Sequence, residues 1–240
     1  MEKTQNPELY RAKQNVTLLY EVSRAIASNR YLEEILLLVV SLTAELMHSK
    51  ICSLMLLDEE KQELVIKATQ SLSEHYRTKA PIKVGESVSG RAVRDRCPVA
   101  VLDVTKDRDY KYPGVASAEG LKSLISVPMI AKNRVIGVLN CYTAEEHEFE
   151  QEEIQILVGV ANQAALAIEN TRLLAEKVVA VENLEARKKI ERAKGILMKR
   201  HQTGEAEAYR MIQKQSMDKG RSLKDVAEAI IVSEDLVSSK

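Results

Sequence analysis

The chain has 240 residues, 45% of them hydrophobic, with 35 Lys and Arg against 35 Asp and Glu. Its length lies above the commonest single-domain size and calls for two domains. It contains no internal repeat or low-complexity tract, and its longest aliphatic run, Ile35–Val40, is too short to cross a bilayer. Solenoid, fibrous and membrane-spanning classes are thereby excluded, and a soluble cytoplasmic protein is expected.

Helical spacing comes first. Leu9, Ala12, Val16, Leu19, Val22 and Ile26 form one apolar stripe, and Leu32, Ile35, Leu36, Val39 and Leu42 form a second. Ile51–Leu57 and Leu64–Ala68 are β-rich runs about the polar turn Asp58–Gln62 and predict a hairpin. Val99–Asp103, Ser123–Val127 and Arg134–Tyr142 are further strands, the last after a tight turn at Lys132-Asn133. Five or six mostly antiparallel strands between flanking helices make an α+β plan.

Val84-Gly-Glu-Ser-Val-Ser-Gly90, Pro98-Val99, Asp103, Lys122-Ser-Leu-Ile-Ser-Val-Pro128, Val135-Ile-Gly-Val-Leu139, Phe149 and Ala161–Asn170 follow one another in an order that resembles a GAF domain over residues 15–172. The resemblance implies an antiparallel sheet flanked by helices, and a sensor that holds a small molecule between the sheet and its covering loops. No particular ligand or cofactor is implied, and the sequence identifies none. The covering segment is expected at Val104–Leu121, where Tyr110 and Tyr112 are candidate pocket residues together with Cys97 before Pro98. One branch of the same fold reduces free methionine sulfoxide with cysteines near its pocket, so an enzyme is the alternative. Cys52 and Cys141 fall within strands, there is no CxxC, and His48, His75, His147 and His201 lie far apart. These features favour structural thiols and no metal site.

From Glu150 to His201 there is no Pro, and Ile154, Leu157, Ala161, Ala164, Ile168, Leu174, Val178, Val181 and Leu184 recur at helical spacing. One helix, or two coaxial ones, of about 75 Å is predicted, at 1.5 Å per residue. A segment that long needs cover from outside one small domain, and a parallel coiled coil in a homodimer supplies it. The apolar register breaks at Glu185–Lys189, which is read as a hinge.

Residues 187–240 hold thirteen Lys and Arg against eight Asp and Glu, a surplus of five that the preceding residues balance. A basic end on an acidic chain points to a polyanion partner, because Lys and Arg neutralise phosphates and release counterions. Ala193, Leu197, Ala208, Met211, Ile212, Leu223, Val226, Ala227 and Ile230 form the core stripe of a three-helix bundle. Gly195, inside a helix, is read as a point of close helix approach.

Arg192-Ala-Lys-Gly-Ile-Leu-Met198, Glu207-Ala-Tyr209, Ser216-Met-Asp218, Arg221-Ser-Leu223 and Val226-Ala227 resemble an ANTAR domain. Gly204 stands where that family has Ser or Thr, and Ser216 where it has Ala. The resemblance implies RNA binding: a dimer that holds paired hairpins of a leader transcript and thereby promotes antitermination. Candidate RNA contacts are Lys188, Lys189, Arg192, Lys194, Lys199, Arg200, Arg210 and Arg221. Tyr209, which could stack on a base, reads first as a core residue. A helix-turn-helix DNA binder, with the turn at Lys219-Gly220-Arg221, and an end that docks a protein remain as alternatives. The expected division is a GAF sensor over 1–172, a coiled-coil linker over 173–186 and an ANTAR-like RNA-binding bundle over 187–240.

Overall fold

The computed structural model describes residues 32–238 except Leu72, with side chains as far as Asp235. The helix expected over Leu9–Ile26 lies outside the described residues. The elements in chain order are α1 (Leu32–Leu46), β1 (Ile51–Asp58), β2 (Glu63–Thr69), α2 (Glu74–Arg77), β3 (Ile82–Lys83), α3 (Ser87–Asp95), β4 (Val99–Val101) and α4 (Pro113–Ala118). They continue with β5 (Leu124–Ala131), β6 (Arg134–Tyr142), α5 (Gln151–His201), α6 (Glu205–Lys219) and α7 (Leu223–Ser238). The chain divides into two compact units, Met1–Thr171 and Arg172–Lys240.

In the first unit six strands pair in the order β3-β2-β1-β6-β5-β4, and every pairing is antiparallel. The α+β plan expected from the pattern is the observed one. β3, two residues long, is the strand that sequence periodicity did not reveal. Lys132 and Asn133 both take positive φ, 46° and 63°, the conformation whose twist suits a two-residue hairpin. In the other hairpin, Asp58 Oδ1 accepts from the amides of Glu60 and Lys61, each at 3.1 Å, and this closes the turn.

Strand alternation sorts the side chains between two faces. Cys52, Leu54, Ile125, Val127, Leu139 and Cys141 share one buried cluster with Ile35, Leu36 and Val39 of α1 and Leu157, Val160, Ala161 and Ala164 of α5. Ile51, Leu124 and Tyr142 lie on the other face with Tyr76, Val88, Tyr110 and Val115. On that same face Ser53, Asn140 and Ser126 stand in register across three strands. Their polarity is satisfied within the core: Ser126 and Ser89 donate to Asn140 Oδ1 at 2.6 and 2.9 Å, and Ser53 pairs with the Tyr76 hydroxyl at 2.8 Å.

The second unit is built on Ala193 and Leu197 of α5, Ala208 and Ile212 of α6, and Val226, Ala227 and Ile231 of α7. All nine residues assigned to that core from spacing are in it, fully or partly buried. Gly220 ends α6 with φ +58°, a left-handed cap that suits glycine. Ser216 closes the same cap by donating to Arg221 O at 2.5 Å, which gives the departure from Ala at that position a role. Ser222 opens α7, accepting from the Asp225 amide at 3.1 Å.

Two glycines respond oppositely to an added methyl group. A Cβ on Gly137 would stand 2.1 Å from Met55 O, a backbone atom of the paired strand, whereas one on Gly195 meets nothing within 4 Å. Among the described residues no helix approaches Gly195, so the close contact expected there is corrected. Gly137→Ala is expected to cost about 1–3 kcal/mol through overpacking. Gly195→Ala is expected to add up to about 1 kcal/mol through helix propensity. Thermal denaturation of the two variants checks both signs.

Candidate ligand pocket and nucleic-acid interface

On the loop-facing side of the sheet an aromatic box is assembled from three distant segments. Tyr142 ends β6, and its ring meets Tyr76 of α2 edge to face, 5.9 Å between centroids at 87°. Tyr110 donates to the Tyr142 hydroxyl at 3.3 Å. Tyr112 donates to Ala80 O at 2.6 Å. Lys79 projects its ammonium among these rings, 3.6 Å from the Tyr76 centroid and 5.6 Å from those of Tyr112 and Tyr142. Burial raises the Tyr76, Tyr110 and Tyr142 hydroxyls well above the ordinary phenol range, so all three stay protonated.

The covering segment is bound down by charge. Asp103, buried at its start, accepts from the Thr105 hydroxyl at 2.6 Å and pairs with Lys106 and Lys122 at 3.0 and 3.2 Å. The Thr105 hydroxyl, followed by Lys106, holds its carboxyl far below the usual range. Arg91 of α3 reaches Asp107 and Asp109 at 3.1 and 3.2 Å, and Lys111 pairs with Glu86 at 2.8 Å. The sequence-derived pocket residues therefore separate. Tyr110 is buried and Tyr112 half-buried against the box, whereas Cys97 is exposed beyond the end of α3. Tyr76, Tyr142 and Lys79 were missed.

Cys52 and Cys141 face each other across β1 and β6, their sulfurs 3.7 Å apart, beneath the helices. They lie on the opposite face from the tyrosines. Burial pushes the Cys52 thiol well up, the reverse of what a nucleophilic thiolate requires.

In the second unit the basic candidates are used unequally. Lys194 is buried and its ammonium is held between Glu191 and Glu205 at 2.8 and 2.6 Å. Its assignment as an RNA contact is corrected, because it ties α5 to α6. Lys188 pairs with Glu185, Lys189 with Glu228, Arg192 with Asp235, Arg200 with Glu234 and Arg210 with Glu207. Lys199 and Arg221 are exposed and have no ion pair among the described residues. Tyr209 is exposed on α6, which corrects its reading as core. A groove of about 420 Å³ runs between the end of α5, α6 and α7, its apolar floor of Leu197, Met211, Val226 and Ile230 edged by Arg200, His201, Lys219 and Arg221 with one carboxylate, Asp225, among them. Lys219 and His201 were not among the expected contacts. The cluster at Lys219-Gly220-Arg221 was the available signal.

Burial lowers the Lys79 ammonium to about 7 from 10.5, against the opposing pull of the Glu119 carboxylate. Between those values the unfolded chain binds more protons than the folded one, so this group's contribution to stability rises with pH. In urea unfolding, wild type is expected to gain on Lys79→Met between about pH 7 and pH 10. A constant difference across that window would contradict the assignment. Lys194→Ala is expected to lower the melting temperature of the bundle, read by circular dichroism, since it leaves two carboxylates beside a vacated buried site.

The family model for the GAF domain matches residues 29–169, more than half the chain, and that for the ANTAR domain matches residues 180–231. Transcriptional regulatory protein PdtaR of Mycobacterium tuberculosis is 41% identical over 63 residues, which cover 26% of this chain and 31% of that protein. The chain spans between 16% and 31% of the length of the curated relatives it matches. Among solved structures, the GAF domain of a phosphoenolpyruvate-protein phosphotransferase from Coxiella burnetii aligns with TM-score 0.63 and 26% identity, covering 69% of this chain and 98% of that one. Free methionine-R-sulfoxide reductase from Neisseria meningitidis, in complex with its substrate, aligns with TM-score 0.58 and 22% identity over 67% and 91% of the two chains, a likeness of fold. No helix among the described residues is long and apolar enough to cross a membrane. The chain belongs to the GAF family, and its GAF domain is followed by an ANTAR domain.

Proposed function

We propose that this chain is a homodimeric, ligand-responsive regulator whose ANTAR domain binds paired hairpins of a leader transcript and so prevents a terminator from forming. The observation that carries the RNA reading is the groove edged by Lys219 and Arg221 within the ANTAR match. Its apolar floor suits unstacked bases and its cationic rim suits phosphates, the two demands of a single-stranded loop. Exposed Tyr209, elsewhere on α6, offers a further face on which a base could stack. The GAF domain acts as a sensor and not as an enzyme. Two of its thiols are sealed under helices, and the third is exposed outside the clusters that hold the tyrosines.

Homodimerisation is supported by α5. Residues 170–185 are all exposed, yet they carry Leu174, Val178 and Val181 at 64%, 56% and 51% exposure. An isolated helical stretch of this length is marginal in water. A second copy aligned in parallel would cover these residues at coiled-coil spacing.

The test is a titration at two salt concentrations of a paired-hairpin RNA against duplex DNA of the same sequence. Tighter, loop-dependent binding to RNA is expected; preference for DNA would favour the helix-turn-helix reading, and no binding would favour a protein-docking end. Arg221→Ala and Lys199→Ala are each expected to weaken RNA binding and to reduce the salt slope by about 1. Leu174→Glu with Val181→Glu is expected to yield a monomer in sedimentation and to lose paired-hairpin binding, while a dimer of unchanged stability would remove the coiled coil from the proposal.

A further inference from the structure

Three tyrosine rings face one ammonium, and that ammonium belongs to the protein. Lys79 Nζ lies within 6 Å of the Tyr76, Tyr112 and Tyr142 centroids, the range in which a ring quadrupole attracts a cation. Glu119, which accepts from Ser73 Oγ at 2.5 Å, adds a negative charge whose field reaches Lys79. The box is thus built for a cation.

A primary amine is a poor occupant. Its head carries three N–H donors and is strongly hydrated. Within Lys79 the backbone amide donates to Tyr76 O at 3.5 Å, while the ammonium has no hydrogen-bond partner among the described residues. Burial accordingly drives the amine towards its neutral form. A quaternary ammonium has no N–H to satisfy, sheds its water more readily and cannot discharge. Aromatic cages suit such a group better than they suit lysine.

We propose that Tyr76, Tyr112 and Tyr142 form the ligand site of the GAF domain, that the site takes a small, fully methylated organic ammonium, and that the Lys79 side chain is its built-in competitor. The proposal deepens, and rests on, the reading of this domain as a sensor. Displacement of Lys79 would be felt by the covering segment, because the residues after Lys79 are tied to it. Tyr112 donates to Ala80 O at 2.6 Å, and Lys111 Nζ donates to Pro81 O at 2.9 Å.

Isothermal titration of the full chain with tetramethylammonium, with choline and with 3,3-dimethylbutan-1-ol tests the site, the last having choline's shape without its charge. Lys79→Ala is expected to bind tetramethylammonium at least tenfold more tightly than the parent chain, and choline at least tenfold more tightly than the neutral alcohol. Tyr112→Leu, at a half-buried wall, is expected to abolish most of that gain while its circular dichroism stays unchanged. Equal binding of choline and the alcohol, or no cation binding by folded Lys79→Ala, overturns the proposal. RNA affinity is read in parallel. Cation binding with no effect on RNA supports the site and removes its control of the second domain. RNA affinity that responds to other small molecules, with no cation bound, keeps the sensor and overturns the site.

Discussion

The pairing of β1 with β6 is the constraint from which both faces of the first domain follow. Its register sets Ile51 against Tyr142, Cys52 against Cys141 and Ser53 against Asn140. Side chains alternate, so a slip of one residue would move Tyr142 under the helices and bring Cys141 into the aromatic box. Gly137 helps to hold the register, since its missing side chain lets the backbone of β6 approach Met55 O, where a Cβ would stand at 2.1 Å.

α5 meets three environments in turn. Leu157, Val160, Ala161 and Ala164 are buried in the first domain's core, and Ala193 and Leu197 in the bundle's. Residues 170–185 belong to neither core. The two ends are fixed by packing, and the middle relies on helix propensity and local pairs such as Arg172–Glu176, which for a helix in water contribute little. Exposed Leu and Val at coiled-coil spacing are costly in a stretch that has only to connect, and become favourable once a partner helix removes them from water.

Much of this architecture was legible in the chain because its signals are local. Alternating apolar residues, the Lys132-Asn133 turn and the three- and four-residue spacings of Ala193, Leu197, Ala208 and Ile212 each lie within a short window. The site was less legible because its signals are not local. Tyr110 and Tyr112 stood out in a loop poor in apolar residues, but Tyr142 looked like one more strand residue, and Tyr76 and Lys79 lie in a polar stretch without periodicity. Only the sheet brings them together. Lys194 misled for a related reason: within a run of basic residues it read as an RNA contact, while Glu205, which pairs with it, belongs to the next helix. Gly195 failed differently. A glycine inside a helix needs a reason, yet among the described residues no neighbouring helix is close enough to supply one.

The route from the box to α5 is short in the chain although it crosses the sheet. Tyr142 forms a wall of the box, and Cys141, the residue before it, is buried in the cluster that contains Leu157 and Ala161 of α5. Close-packed interiors transmit displacement because they hold few voids to absorb it. A ligand that moved the Tyr142 ring would therefore act on the β6 backbone and, through Cys141 and its partner Cys52, on the helices behind the sheet. Under the proposed site, Lys79 would give such a shift its two states. With the amine in place the box is filled at a desolvation cost, and a better-suited cation would relieve that cost. The difference between the two occupants is the free energy available to bias α5, and a ligand can shift an equilibrium only by such a difference.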